Sequence, residues 1–321
     1  MKRILFLSVL LSAFAVEALA ATDDCTLKPI TSIDLLVAPG GTAILPVTLN
    51  GKRVGLMLRL DAIASLIDPV AAEEWSLPRH TVVADLQYGD LRIKQTAEYQ
   101  DLTVGDIRYP AKGVFLVAPE PLNIPTVDGL KVVGMLGGSA FRGVDFELDL
   151  AHRKFKVFSQ DHCPGGQVVY WSDQYTSVPL LHTRSGAYFF AIELEGRKVY
   201  ATISNSRAVT TLGTDVSRAL FGFDKSSAGI EETHEADGTT YHYRAMNLTA
   251  AGVSMANARI RLVDPVKECP LSTKTRDVAR YKCDGIYPMF LGGDLLQQLR
   301  MFFATKEGKL YFTSANAGMK Q

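Results

Sequence analysis

The chain repeats itself, and that constrains its fold more than any other feature. Slid against itself, Leu49-Asn50-Gly51-Lys52-Arg53-Val54 lies over Leu194-Glu195-Gly196-Arg197-Lys198-Val199, an offset of 196 − 51 = 145. The register runs on without a gap, pairing Arg59 with Ser204, Ile67 with Leu212 and Trp75 with Leu220. A second correspondence closes each copy, because Leu136-Gly137-Gly138-Ser139-Ala140-Phe141 matches Leu291-Gly292-Gly293-Asp294-Leu295-Leu296, with 291 − 136 = 155. Lys154-Phe155 then falls on Lys309-Leu310. A chain built this way folds into two similar halves.

Local signals say what each half contains. Asn50-Gly51 and Glu195-Gly196 sit between β-prone segments, and Asn-Gly is a strong hairpin signal. After a loop, Asp68 with Pro69 predicts a capped helix start, and Thr214 or Asp215 predicts the cap of its counterpart. Further short β-prone runs follow, among them Leu91 to Ile93, Leu102 to Val104, Val114 to Val117, Thr240 to Tyr243 and Ile260 to Val263. Long helical periodicity is scarce, so the expected fold is mostly β: two similar barrel-like lobes, short helices and a central cleft. Cys163-Pro164-Gly165-Gly166 breaks structure between the copies, which places the lobes at residues 21–165 and 166–321.

The first 20 residues carry a basic pair, an apolar run from Ile4 to Val16, and Ala18-Leu19-Ala20, the pattern of a signal peptide cut after Ala20. Export to a periplasm or to the outside is expected, with no membrane anchor. Four cysteines in an exported chain allow three pairings. Cys269 and Cys283 lie close enough to pin one loop, which leaves Cys25 to meet Cys163. Thirty-four basic and 34 acidic side chains leave no net charge for nucleic acid or an anionic membrane. No spacing predicts a metal or cofactor: the Gly pairs lack a phosphate-loop pattern, and His234 and His242 stand in a β-prone stretch without further ligands.

These features resemble the pepsin and retropepsin superfamily of aspartic proteases, especially bacterial exported members with two lobes, over roughly residues 35 to 315. In that family each lobe has a hairpin with a Gly turn, an apolar strand, an Asp-Thr-Gly loop, a Ser-x-Ile-like segment and a short helix. Met135-Leu136-Gly137 and Phe290-Leu291-Gly292 look like the segments that prop the catalytic loops. The hairpin tip Tyr88-Gly89 looks like the flap, with Tyr88 reaching over the cleft. With Ser65-Leu66-Ile67 in the Ser-x-Ile place, Arg59-Leu60-Asp61-Ala62 stands where Asp-Thr-Gly-Ala is expected. In the second lobe Ser204-Asn205-Ser206-Arg207 stands there. The offset of 145 pairs the same two positions, so both catalytic aspartates are replaced, by Arg59 and Ser204.

The chemistry of the family needs two carboxylates that share one proton, one to activate water and one to donate. Arginine stays protonated with a pKa above about 12, and losing a positioned general base alone costs about 10²–10⁴ in rate. The resemblance therefore implies a degenerate protease, without catalytic residues or cofactor, whose cleft takes an extended peptide or protein segment by strand addition. One alternative is an active endopeptidase using Asp61 in a shifted register, against an exposed Asp61 that merely pairs with Arg59. Another is a structural exported protein with no cleft ligand.

Overall fold

The computed structural model describes residues 25–38, 41–62, 64–88, 91–110, 112–182, 188–234, 238–250, 253–264 and 289–317. The signal segment, Gly89, the Tyr88 side chain, Cys269 and Cys283 lie outside the described residues.

The first half contributes thirteen strands: Pro29–Asp34 (β1), Leu36–Val37 (β2), Ala43–Leu49 (β3), Lys52–Arg59 (β4), Leu66–Ile67 (β5), Arg79–Tyr88 (β6), Leu91–Tyr99 (β7), Leu102–Val104 (β8), Ile107–Arg108 (β9), Gly113–Val117 (β10), Val132–Gly137 (β11), Asp145–Asp149 (β12) and Lys154–Phe158 (β13). The second half contributes Thr176–His182 (β14), Tyr188–Leu194 (β15), Arg197–Ile203 (β16), Thr211–Gly213 (β17), Glu231–His234 (β18), Thr240–Ala250 (β19), Val253–Val263 (β20), Met289–Leu291 (β21), Leu299–Ala304 (β22) and Lys309–Ser314 (β23). Among the described residues the α-helices are short: Pro69–Glu74 (α1), Thr214–Val216 (α2) and Gly293–Leu296 (α3).

The duplication is visible in the sheet order. The first half runs β6-β7-β10-β5-β11-β4-β3, and the second runs β18-β19-β20-β17-β21-β16-β15, the same path strand for strand. Beneath them six strands, β1-β13-β12 from the first half and β22-β23-β14 from the second, form a floor shared by both. Phe146 on β12 stacks against Phe303 on β22 with centroids 4.4 Å apart, and Phe141, Phe155 and Tyr188 close around them. Burying each ring contributes about 2–3 kcal/mol. The fully buried Asp145 adds a polar tie: it accepts from Thr305 N and Oγ1, each at 2.8 Å, and faces His162 Nε2 at 2.7 Å.

Turn chemistry explains the hairpins. Asn50 and Gly51 have φ of 47° and 74°, and Glu195 and Gly196 have 48° and 73°, the left-handed pair that a tight hairpin needs. Glu195 is a poor residue for that conformation, and its carboxylate compensates by accepting from Asn247 N at 2.5 Å. Asn50 Oδ1 accepts from Gln100 N and Asp101 N in the matching place. Asp68 caps α1 as expected, accepting from Val70 N at 2.8 Å, with Pro69 in the first turn. The second helix corrects the expectation: its cap is Gly213, with Thr214 already helical and Asp215 in the first turn. The backbone of β17 runs straight into the helix there, so no side chain is placed to cap it. Cys25 is bonded to Cys163, anchoring the chain just before β1 to the segment after β13.

Candidate functional site at the inter-lobe join

Two loops, residues 60–62 with 64–65 and residues 204–210, lie between β4 and β5 and between β16 and β17. Each begins with the same turn, Ala62 N donating to Arg59 O at 3.0 Å and Arg207 N to Ser204 O at 3.1 Å. Each is then stitched to the strand beside it. Gly137 N donates to Ser65 Oγ at 3.1 Å and Gly292 N to Thr210 Oγ1 at 3.0 Å. Gly138 N donates to Ala62 O at 2.9 Å and Gly293 N to Arg207 O at 2.7 Å. The approach is too close for a side chain: a Cβ on Gly137 would lie 2.7 Å from Ala64 O, and one on Gly292 only 2.3 Å from Val209 C. Leu136 and Leu291 are each buried beside their glycine.

The loops meet across the two halves through side chains. Asn205, fully buried, donates to Leu58 O at 2.5 Å and accepts from Leu60 N at 3.3 Å. Its counterpart under the offset of 145 is Leu60, which is apolar, so this clasp is one-sided. Thr42 Oγ1 adds a long bond to Ser206 O at 3.4 Å.

At the centre of the join Asp61 links Arg59 and Ser204. Its Oδ1 accepts from Arg59 Nε at 2.8 Å, and its Oδ2 accepts from Arg59 Nη2 at 3.2 Å and from Ser204 Oγ at 2.7 Å. Ser204 is fully buried, and the Asp61 side chain is only 5% exposed. The expectation of an exposed Asp61 pairing with Arg59 is therefore half corrected: the pair forms, and the Asp61 side chain is largely covered, with Ser204 of the other half bonded to it. The join holds one carboxylate, a guanidinium and a hydroxyl. Among the described residues no second carboxylate contacts Asp61 or Ser204.

Two more guanidinium groups stand nearby. Arg207 lies over the Phe290 ring, 4.6 Å from its centroid. Burial pushes its pKa down; the Asp61 carboxylate opposes that shift, and the like charges of Arg59 and Arg261 add to it. Arg261 lies over Tyr241 at 4.4 Å, and its buried Nε has no hydrogen-bond partner among the described residues.

This arrangement, two copies of one strand-loop-strand frame facing each other over a common floor, has solved counterparts. The crystal structure of an aspartic proteinase from Irpex lacteus matches with a TM-score of 0.51, at 9% identity, covering 89% of this chain and 97% of that chain. The chain has a pepsin-like fold. Two further pepsin-like matches are the basic 7S globulin from soybean, at a TM-score of 0.47 and 10% identity, and conglutin gamma from lupine seeds, at 0.49 and 12%. Each covers 91% of this chain and 96% of the other. No family model matches the sequence, and no curated relative matches it.

Within the pepsin-like frame, Arg59, Asp61 and Ser204 are brought together, with Leu136, Gly137, Leu291 and Gly292 beneath their loops. β6 and β7 form the hairpin that Tyr88-Gly89 suggested, with Tyr88 paired to Leu91. His234 and His242 bond to Thr240 and Glu232 and share no metal-like cluster among the described residues. The sequence reading passed over Asn205, Arg207 and Arg261. The available signal was the offset itself, which sets Asn205 against Leu60 and Arg207 against Ala62: polar residues against apolar ones inside an otherwise matched loop.

Proposed function

We propose that this is an exported aspartic-proteinase-like protein that lacks proteolytic activity and holds an extended peptide or protein segment in the cleft between its lobes. It would consist of a signal peptide over residues 1–20 and lobes over 21–165 and 166–321. The observation that carries the reading is the Asp61 carboxylate, occupied on one side by Arg59 and on the other by Ser204. A lone carboxylate whose oxygens already accept three bonds has no partner carboxylate with which to divide the acid and base roles. The intact loop stitching supports retention of the cleft for binding, since strand addition uses main-chain groups and needs no aspartate. A disulfide between Cys25 and Cys163 suits an oxidising compartment.

A second reading, an endopeptidase using Asp61, draws on the burial of that carboxylate at the join, 2.7 Å from a hydroxyl of the other half. One experiment separates them. The mature chain and its Asp61→Asn variant are incubated with denatured proteins from acidic to neutral pH, and new termini are mapped by mass spectrometry. No cleavage by folded protein at any pH is expected; cleavage lost in Asp61→Asn would overturn the proposal and establish the enzyme.

A further inference from the structure

Matched registers expose a difference between the halves on the sheet face turned away from the main core. In the second half Thr202 pairs with Phe290, Phe290 with Thr211, and Thr211 with Arg261, so these four side chains stand in one row across β16, β21, β17 and β20. Their strand neighbours Ile203, Leu291, Leu212 and Leu262 belong to the main core, which puts the row on the opposite face. Among the described residues, two of the four carry buried polar atoms with no hydrogen-bond partner. Thr211 is 1% exposed and its Oγ1 has no partner; Arg261 Nε beside it has none either. Arg207, reaching from the loop that carries Ser204, lies over the Phe290 ring in the middle of the row. Among the described residues its guanidinium makes no hydrogen bond or ion pair, and the nearby Asp61 is already taken by Arg59.

Buried donors left unpaired cost about 1–3 kcal/mol each and are uncommon unless water, an ion or a ligand completes them. Here the unpaired groups are a guanidinium Nε–H and a hydroxyl, side by side, with a second guanidinium close by and a flat aromatic ring as the floor. This set matches the two-oxygen edge of a carboxylate, which arginine binds through parallel N–H groups.

We propose that the row Thr202, Phe290, Thr211 and Arg261, capped by Arg207, is a carboxylate-binding subsite of the cleft. It takes either an acidic side chain or the C-terminal carboxylate of the bound segment. The assignment deepens the peptide-binding reading and rests on it for the identity of the ligand, whereas the carboxylate chemistry rests on the row alone.

Two measurements on the mature protein test it. In the first, fluorescein-labelled eight-residue β-prone peptides carrying Glu or Gln at the centre, each with a free or amidated C-terminus, are titrated by fluorescence anisotropy. In the second, the arginine Nε–Hε signals, assigned with Arg261→Met and Arg207→Met, are followed by NMR while glutarate is added. The expected result is about tenfold tighter binding of a carboxylate-bearing peptide than of its neutral counterpart, in keeping with a charge-assisted pair. That gap should close to about twofold in Arg261→Met and partly reopen in Arg261→Lys. The Arg261 Nε–Hε signal should move saturably with glutarate. The Glu and free-acid arms say which carboxylate is read. If peptides bind but neutral and acidic ones bind alike and the signal stays still, the subsite is overturned while the cleft reading stands. If glutarate moves the signal and no peptide binds, the subsite stands and the peptide reading falls. A still signal with no peptide binding overturns both.

Discussion

In the first half the row equivalent to Thr202, Phe290, Thr211 and Arg261 is Met57, Met135, Leu66 and Leu116, joined by the same pairings. There the four side chains pack with Ala118 and Leu122 into an apolar cluster, Leu66, Met135 and Ala118 buried and the others partly buried. The second half keeps the backbone of that row and replaces three of its apolar side chains with two threonines and an arginine. The same contrast recurs at the join, where Asn205 clasps the opposite loop and Leu60 does not, and where Arg59 and Ser204 no longer resemble each other. Both halves share the backbone hydrogen bonding of the frame and the Ser65 and Thr210 hydroxyls that accept from Gly137 N and Gly292 N; the side chains at the join and in the row differ. The frame is held by main-chain groups, these two hydroxyls and glycines with no room for a Cβ, which leaves the other side chains around it free to diverge.

The comparison can be broken most severely at the glycines. Gly292→Ala and Gly137→Ala should each cost about 3 kcal/mol or more, since the new Cβ meets backbone rather than a flexible side chain. Gly292→Ala should be the worse of the two because its contact is the shorter. Thermal unfolding followed by circular dichroism measures both, and a tolerated Gly292→Ala would show that the loops are not bound to their strands as described. The one-sided clasp comes next: Asn205→Leu leaves Leu60 N–H and Leu58 C=O buried and unpaired, a cost of about 2–3 kcal/mol by urea denaturation. Leu60→Ala, lacking a clasp to lose, should show only the cavity cost of its volume.

The rows supply the finest contrast. Leu66→Thr should destabilise by about 2 kcal/mol, because it places an unpaired hydroxyl in the apolar first-half row. Thr211→Val removes an unpaired hydroxyl at nearly constant shape, and the free protein should be unchanged or more stable by up to about 1 kcal/mol. Equal losses from both substitutions would mean that Thr211 has a partner in the free protein and would remove the distinction between the halves.

Much of the frame was legible in the sequence because its causes are local. Asn50-Gly51 and Glu195-Gly196 form turns through their own backbone preferences, and Asp68 caps the helix that begins beside it. The offset of 145 matched Arg59 to Ser204 without reference to coordinates. The cap of α2 was misread because propensity favoured Thr214 or Asp215, whereas continuation of β17 into the helix put Gly213 in that place. The covering of the Asp61 side chain was not legible because Ser204, which bonds to it, is 143 residues away.

By itself, then, the sequence determined the duplication, the mostly β character and the hairpins, since repeat register and turn preference are written in neighbouring residues. Only the tertiary structure decided that Asp61 would bridge Arg59 to Ser204, that Asn205 would clasp one way, and that Arg207 and Arg261 would gather around Phe290. Parallel pairings such as β17 with β20 bring together residues 50 positions apart, Thr211 and Arg261 among them. Which unpaired groups such a meeting creates depends on how the two faces of the sheet are covered, and no local preference encodes that.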